Sequence, residues 1–213
     1  DDSLESKKDQ KGASLRAYAE LLIKSEKFDR FIKDLTDNWL DLRNIDFTSP
    51  DRTLFPEFDD YLKYSMLQET RSFVRRMFHE NLPISNLVKS DFAMINDRLA
   101  QHYGIENVTG PKFRPVSLPS NSPHGGLLTQ GSILKVTANG TNTSPVMRGV
   151  WVMERILGQV PTPPPPGIPG VEPDIRGAET LRDLLEKHRS MESCQGCHAK
   201  FDPLGFALES FNP

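Results

Sequence analysis

From Ser14 onward, apolar residues recur every three and four positions: Leu15, Tyr18, Ala19 and Leu22, then Phe28, Phe31, Ile32, Leu35, Trp39 and Leu42. That spacing keeps one face of an α-helix apolar, so two amphipathic helices are predicted. A turn over Asp51 to Phe55 precedes a third stripe, Phe58, Leu62, Met66, Phe73 and Met77. It reads as one long helix ending near Asn81 and Pro83, because proline has no N–H to continue the ladder. Ser90 then has the character of an N-cap and Gly104 of a C-terminal stop, bracketing Ala93, Met94, Arg98, Leu99 and Tyr103. Stripes of this kind are the pattern of a helical core.

Between Ile105 and Thr143 the helical period fades into Gly, Pro, Ser, Thr and Asn, with only Leu127 to Val136 able to form a short helix or strand. This stretch reads as the join between two lobes. Ser144-Pro145 then starts another helix, a capping side chain followed by proline at the first helical position, with Val146, Val150, Met153, Ile156 and Leu157 as its buried face up to Gly158. Seven prolines fall between Val160 and Pro173. Such a segment favours polyproline II and, at about 3.1 Å per residue, spans on the order of 40 Å as a rigid spacer. A docking peptide for a groove-type module is the competing reading of the same prolines. One more helix follows, with Leu181, Leu184, Leu185 and His188 on one face.

Composition narrows the function classes. A net charge of −3 over 213 residues provides no basic excess for a phosphate backbone, so no nucleic-acid partner is expected. No apolar run approaches the roughly 20 residues of a membrane-spanning helix. The chain's two cysteines, Cys194 and Cys197, stand three apart and are followed at once by His198. Cys-x-x-Cys-His is the attachment signature of c-type haem: two thiols one helical turn apart each add to a vinyl group, and the next histidine reaches the iron. A dithiol redox pair, a strained disulfide and a zinc site compete for the same residues, though no second cysteine pair completes a zinc set. Downstream, Pro203, Leu204 and Phe206 are suited to line a porphyrin edge. A carbonyl near Pro203 is placed to accept a hydrogen bond from His198, which would fix its tautomer and raise its basicity. Plain core packing is the alternative for these residues.

The opposite face of the iron decides the chemistry. A second axial side chain makes a closed electron carrier, whereas an open position admits peroxide or oxygen. Only fifteen residues follow His198 and none is Met, so a ligand within this chain has to come from upstream. His188 is the first candidate by its helical register, and His124, before a Gly-Gly pair, is the second. Met147, Met153 and Met191 are further soft donors, and an open site or a ligand from outside this sequence completes the alternatives.

The runs HGGLLTQGSILKVTANGTNTSPVMRGVWVMERILGQVPTPPPPGIP and TLRDLLEKHRSMESCQGCHAKFDPLGFALESF closely resemble the haem-motif domain of planctomycete-type multidomain c-type cytochromes, over roughly residues 120 to 212. FPEFDDYLKYSMLQETRSFVRRMF and DFAMINDRLAQHYGI, within about residues 25 to 118, resemble the helical domain preceding it in that family. The resemblance implies an exported bacterial protein of the periplasm or cell surface, carrying one haem c and meeting a redox protein partner. It implies no substrate, and the family continues past the position of Pro213 into a further small domain.

The expected architecture is mainly α, two tightly joined helical lobes with a Gly/Pro-rich middle segment and a C-terminal cytochrome c-like haem lobe. Its parts are a polar tail (1–13), a helical domain (14–118) and a haem c-binding domain (119–213) with its spacer at 160–173. The expected function is one-electron transfer, with no catalytic residue assigned. A peroxidase- or oxidase-like haem enzyme and a surface binding module with structural haem are the alternatives.

Overall fold

A computed structural model describes residues 14–162 and 192–211. The described residues are mainly helical, with one two-stranded sheet among them. Among the described residues, no helix is long and apolar enough to cross a membrane. The predicted spacer beyond residue 162 and the helix carrying His188 lie outside the described residues.

The chain divides into two compact units, residues 14–47 with 57–133, and residues 48–56 with 134–162 and 192–211. The division does not follow chain order. Residues 48–56 belong with the second unit because Thr48 Oγ1 donates to the Ala138 carbonyl (3.1 Å), Lys135 Nζ to the Thr48 carbonyl (2.8 Å) and the Asp51 N–H to the Gly140 carbonyl (2.8 Å).

In the first unit, helix α1 (14–23) is followed by α2 (Phe28–Trp39) and the long α3 (Asp60–His79). Asp59 caps α3 by accepting the Leu62 N–H at 2.6 Å. The periodicity of α1 is helical, yet Leu15, Tyr18 and Leu22 are 73%, 66% and 66% exposed, so the predicted apolar face has no cover among the described residues. Phe28, Ile32, Phe73, Val74, Phe92 and Met94 form one core cluster, and Leu62, Met66, Ala93, Ile95, Leu99 and Ala100 a second.

The helix predicted over Ser90 to Gly104 is instead a strand and a helix. Strand β1 (Phe92–Ile95) pairs antiparallel with β2 (Arg114–Ser117), Met94 facing Pro115, and α4 covers Asp97–Tyr103. The physical reason is double burial. Phe92 and Met94 supply one cluster while Ala93 and Ile95 supply the other, so both faces of the strand are apolar and no alternation betrays it. The N-cap of α4 is Asn96, which accepts the Leu99 N–H at 3.1 Å, while Gly104 (φ +66°) ends the helix as predicted.

Helix α5 (Gly131–Val136) leads into the second unit, which is built on α6 (Pro145–Arg155) and α7 (Glu192–Phe206). Ser144 caps α6 as the sequence indicates, accepting the Met147 N–H at 3.3 Å. Its buried face differs from the apolar stripe. Pro145, Arg148, Gly149, Trp151, Val152 and Met153 are buried, whereas Leu157 is 51% exposed.

Candidate functional site

The rotation of the α6 face has a cause in α7. A Cβ on Gly149 would lie 2.0 Å from the Phe201 carbonyl oxygen, and one on Gly205 would lie 1.7 Å from that of Pro145. The two helices therefore pack backbone to backbone, in a register where 145 meets 205 and 149 meets 201. Only glycine permits that approach. Arg148, fully buried, donates through one Nη1 to the carbonyls of Leu208 (2.7 Å) and Phe211 (2.8 Å) and so fastens the segment after α7. Thr143 Oγ1 donates to Glu209 at 2.6 Å beside it.

This packing fixes the helix that bears the sequence signature. Cys194, Cys197 and His198 all lie on α7, the two cysteine positions one turn apart. His198 has a side chain 14% exposed, and its Nδ1 stands 3.1 Å from Oδ1 of Asp202, whose side chain is fully buried. The Phe201 ring lies 4.9 Å from the imidazole, tilted by 56°. A carboxylate oxygen accepts, so Nδ1–H is the donor of this pair and the ring is oriented by it. Among the described residues, nothing beyond its own helix lies within 4 Å of a Cβ built on Gly196. Beside the same helix, a cavity of about 90 Å³ is lined by Met153, Val160, Pro161, Thr162, Lys200 and Phe201.

Of the other predicted residues, Pro203 lies inside α7 on its exposed side, and Leu204 and Phe206 are half-buried. The Pro203 carbonyl accepts the Ala207 N–H at 3.2 Å. The group found at His198 Nδ1 is the Asp202 carboxylate, in place of the expected carbonyl near Pro203. Its signal in the sequence was an acid four residues after the histidine on a helix.

His124 belongs to the first unit. Its ring lies 4.2 Å from that of Tyr103, and burial pushes its pKa below the ordinary 6.5, partly countered by a hydrogen bond with the Thr129 backbone. The following glycines serve packing: a Cβ on Gly125 would lie 2.6 Å from the Ser90 carbonyl oxygen and one on Gly126 2.7 Å from that of Val88. Tyr103 donates to the buried Glu69 at 2.6 Å and accepts the Gly131 N–H at 2.8 Å. Burial pushes the Glu69 carboxyl up to about 8, against the lowering effect of its Tyr103 and Gly131 hydrogen bonds. Among the methionines, Met153 is buried and Met147 is 61% exposed. His188 and Met191 lie outside the described residues.

Comparison with protein families finds two matches. Residues 4–105 match PSD4, protein of unknown function (DUF1592), and residues 124–213 match PSCyt3, protein of unknown function (DUF1588). These are domains typical of planctomycete-type cytochrome c proteins. The PSCyt3 match spans α5, α6 and α7 together with the Cys194 to His198 signature, while the PSD4 match spans the helices and first strand of the other unit. No curated protein and no solved structure matches the chain.

Proposed function

We propose that this chain is an exported c-type cytochrome that carries one covalent haem on α7 and passes single electrons to a redox protein partner in the periplasm or at the cell surface. The observation that carries the reading is the Cys194-Gln195-Gly196-Cys197-His198 segment on one helix, with the His198 ring held at Nδ1 by Asp202. Cys194 and Cys197 would hold the haem through thioether bonds, and His198 would bind the iron through Nε2.

When bound, the haem supplies a one-electron iron couple. The residues of the chain hold and tune it. Backbone contact at Gly149 and Gly205 fixes the helix that carries the thiols and the imidazole. The Phe201 ring packs tilted against the His198 ring. Leu204 and Phe206 would line the haem, and His188 would be the first candidate for a second iron ligand.

Optical and electron-spin-resonance spectra of the purified protein, oxidised and reduced, test the carrier. A six-coordinate low-spin iron in both states is expected, and His188→Ala converts it to high-spin with ready binding of carbon monoxide. The His198–Asp202 contact favours one second reading, a peroxidase-like enzyme, because an anionic partner on the ligand stabilises the more oxidised iron. A wild type that is already high-spin and turns over peroxide would replace the carrier by that enzyme.

A further inference from the structure

We propose that Asp202 is the positioning residue of the haem site, holding the His198 imidazole by Nδ1 and lowering the reduction potential of an iron bound at Nε2. This rests on the haem reading of α7. The contact is 3.1 Å, the Asp202 side chain is fully buried and that of His198 is 14% exposed, so water competes little for the hydrogen bond. Both residues sit one turn apart on one helix, and the backbone on either side of Asp202 is fastened: the Phe201 carbonyl and the Gly205 backbone lie where a Cβ on Gly149 would go. The backbone that carries Asp202 is therefore held against α6, and its side chain reaches Nδ1 across one helical turn.

The consequence for the iron follows from charge. A neutral carbonyl at Nδ1 only orients the ring, whereas a carboxylate also shifts electron density toward Nε2 and makes it a stronger donor. A stronger donor favours the ferric over the ferrous ion, and the low dielectric around Phe201 and Asp202 strengthens the effect. Partners of this kind behind a metal-bound histidine typically change metal affinity about 10–100-fold, which sets the scale of the expected change in ferric-to-ferrous preference at about tenfold. A plain i,i+4 helix contact would alter the melting temperature and leave the potential where it was.

The test compares the haem-loaded full chain with its Asp202→Asn variant by spectroelectrochemical titration, haem content being measured in both. Asn keeps the shape and an accepting oxygen but removes the charge. The expected result is unchanged covalent haem and a preference shifted at least tenfold toward ferrous iron, a rise of about 59 mV for one electron. Asp202→Ser, smaller and still an acceptor, is the second variant should Asn prevent folding, and the same upward shift is expected. A loaded variant whose potential is unchanged or lower overturns the role of Asp202 while leaving the haem assignment standing. A wild type that takes up no haem overturns the assignment itself, and with it this inference.

Discussion

Glu69 gives the first unit a pH dependence that a single substitution removes. Its carboxyl is buried on α3 and pushed up to about 8 from an ordinary 4.5, chiefly by desolvation. The folded state therefore holds a proton that the unfolded chain has already released between those two values. Stability from this group is fully present below about pH 4.5, falls as pH rises through the window and is gone above about pH 8. At 1.36 kcal/mol per decade, that gap corresponds to at most about 5 kcal/mol. Glu69→Gln keeps an oxygen to accept from Tyr103 Oη, 2.6 Å away in the wild type, and cannot titrate. Urea unfolding at several pH values from 4.5 to 9, followed by tryptophan fluorescence and far-UV circular dichroism, reads the difference. The wild type should lose several kcal/mol relative to Glu69→Gln across the range, most steeply between pH 5 and 8. Parallel profiles for the two proteins would refute a protonated Glu69 in the folded state.

The contact between α6 and α7 predicts that Gly205→Ala, whose Cβ would meet the Pro145 carbonyl at 1.7 Å, lowers stability by roughly 1–3 kcal/mol or more in urea unfolding and reduces haem attachment. Arg148→Met strands the Leu208 and Phe211 carbonyls at roughly 1–3 kcal/mol each, visible as a lower melting temperature. Burial alone would raise the Asp37 carboxyl, but Lys33 at 2.6 Å and Arg71 at 2.8 Å hold it below its ordinary value. Its contribution is present above about pH 3.8 and lost as pH falls through the lowered folded value, so Asp37→Asn flattens the acid limb of the stability profile. Asn96→Ala removes the cap of α4 at about 0.5–2 kcal/mol, measured by equilibrium unfolding.

Helices with one buried face were readable: α2 and α3 stand where their apolar spacing puts them, and α6 starts at Ser144-Pro145 where its cap puts it. Strand β1 was not, because a strand buried on both faces has no period, and its partner β2 contains Pro115 and half-exposed residues with no strand signature. The inward face of α6 was misread for a related reason. Backbone packing at Gly149 and the carbonyl clamp of Arg148 turned a glycine and an arginine inward, two residue types that hydropathy assigns to the surface. In the candidate site, the haem signature was legible as spacing. The partner of His198 was not foreseen, since a lone Asp in an apolar run shows its role only once a helix carries it back over one turn to Nδ1.

The most direct measurement is covalent haem on the full chain, produced in a host that matures c-type cytochromes and separated on a denaturing gel. The wild type should run as a haem-staining band with one haem per chain by intact mass, and Cys194→Ala with Cys197→Ala should run colourless. A colourless wild type with two free thiols, or with zinc bound in their place, would contradict the account.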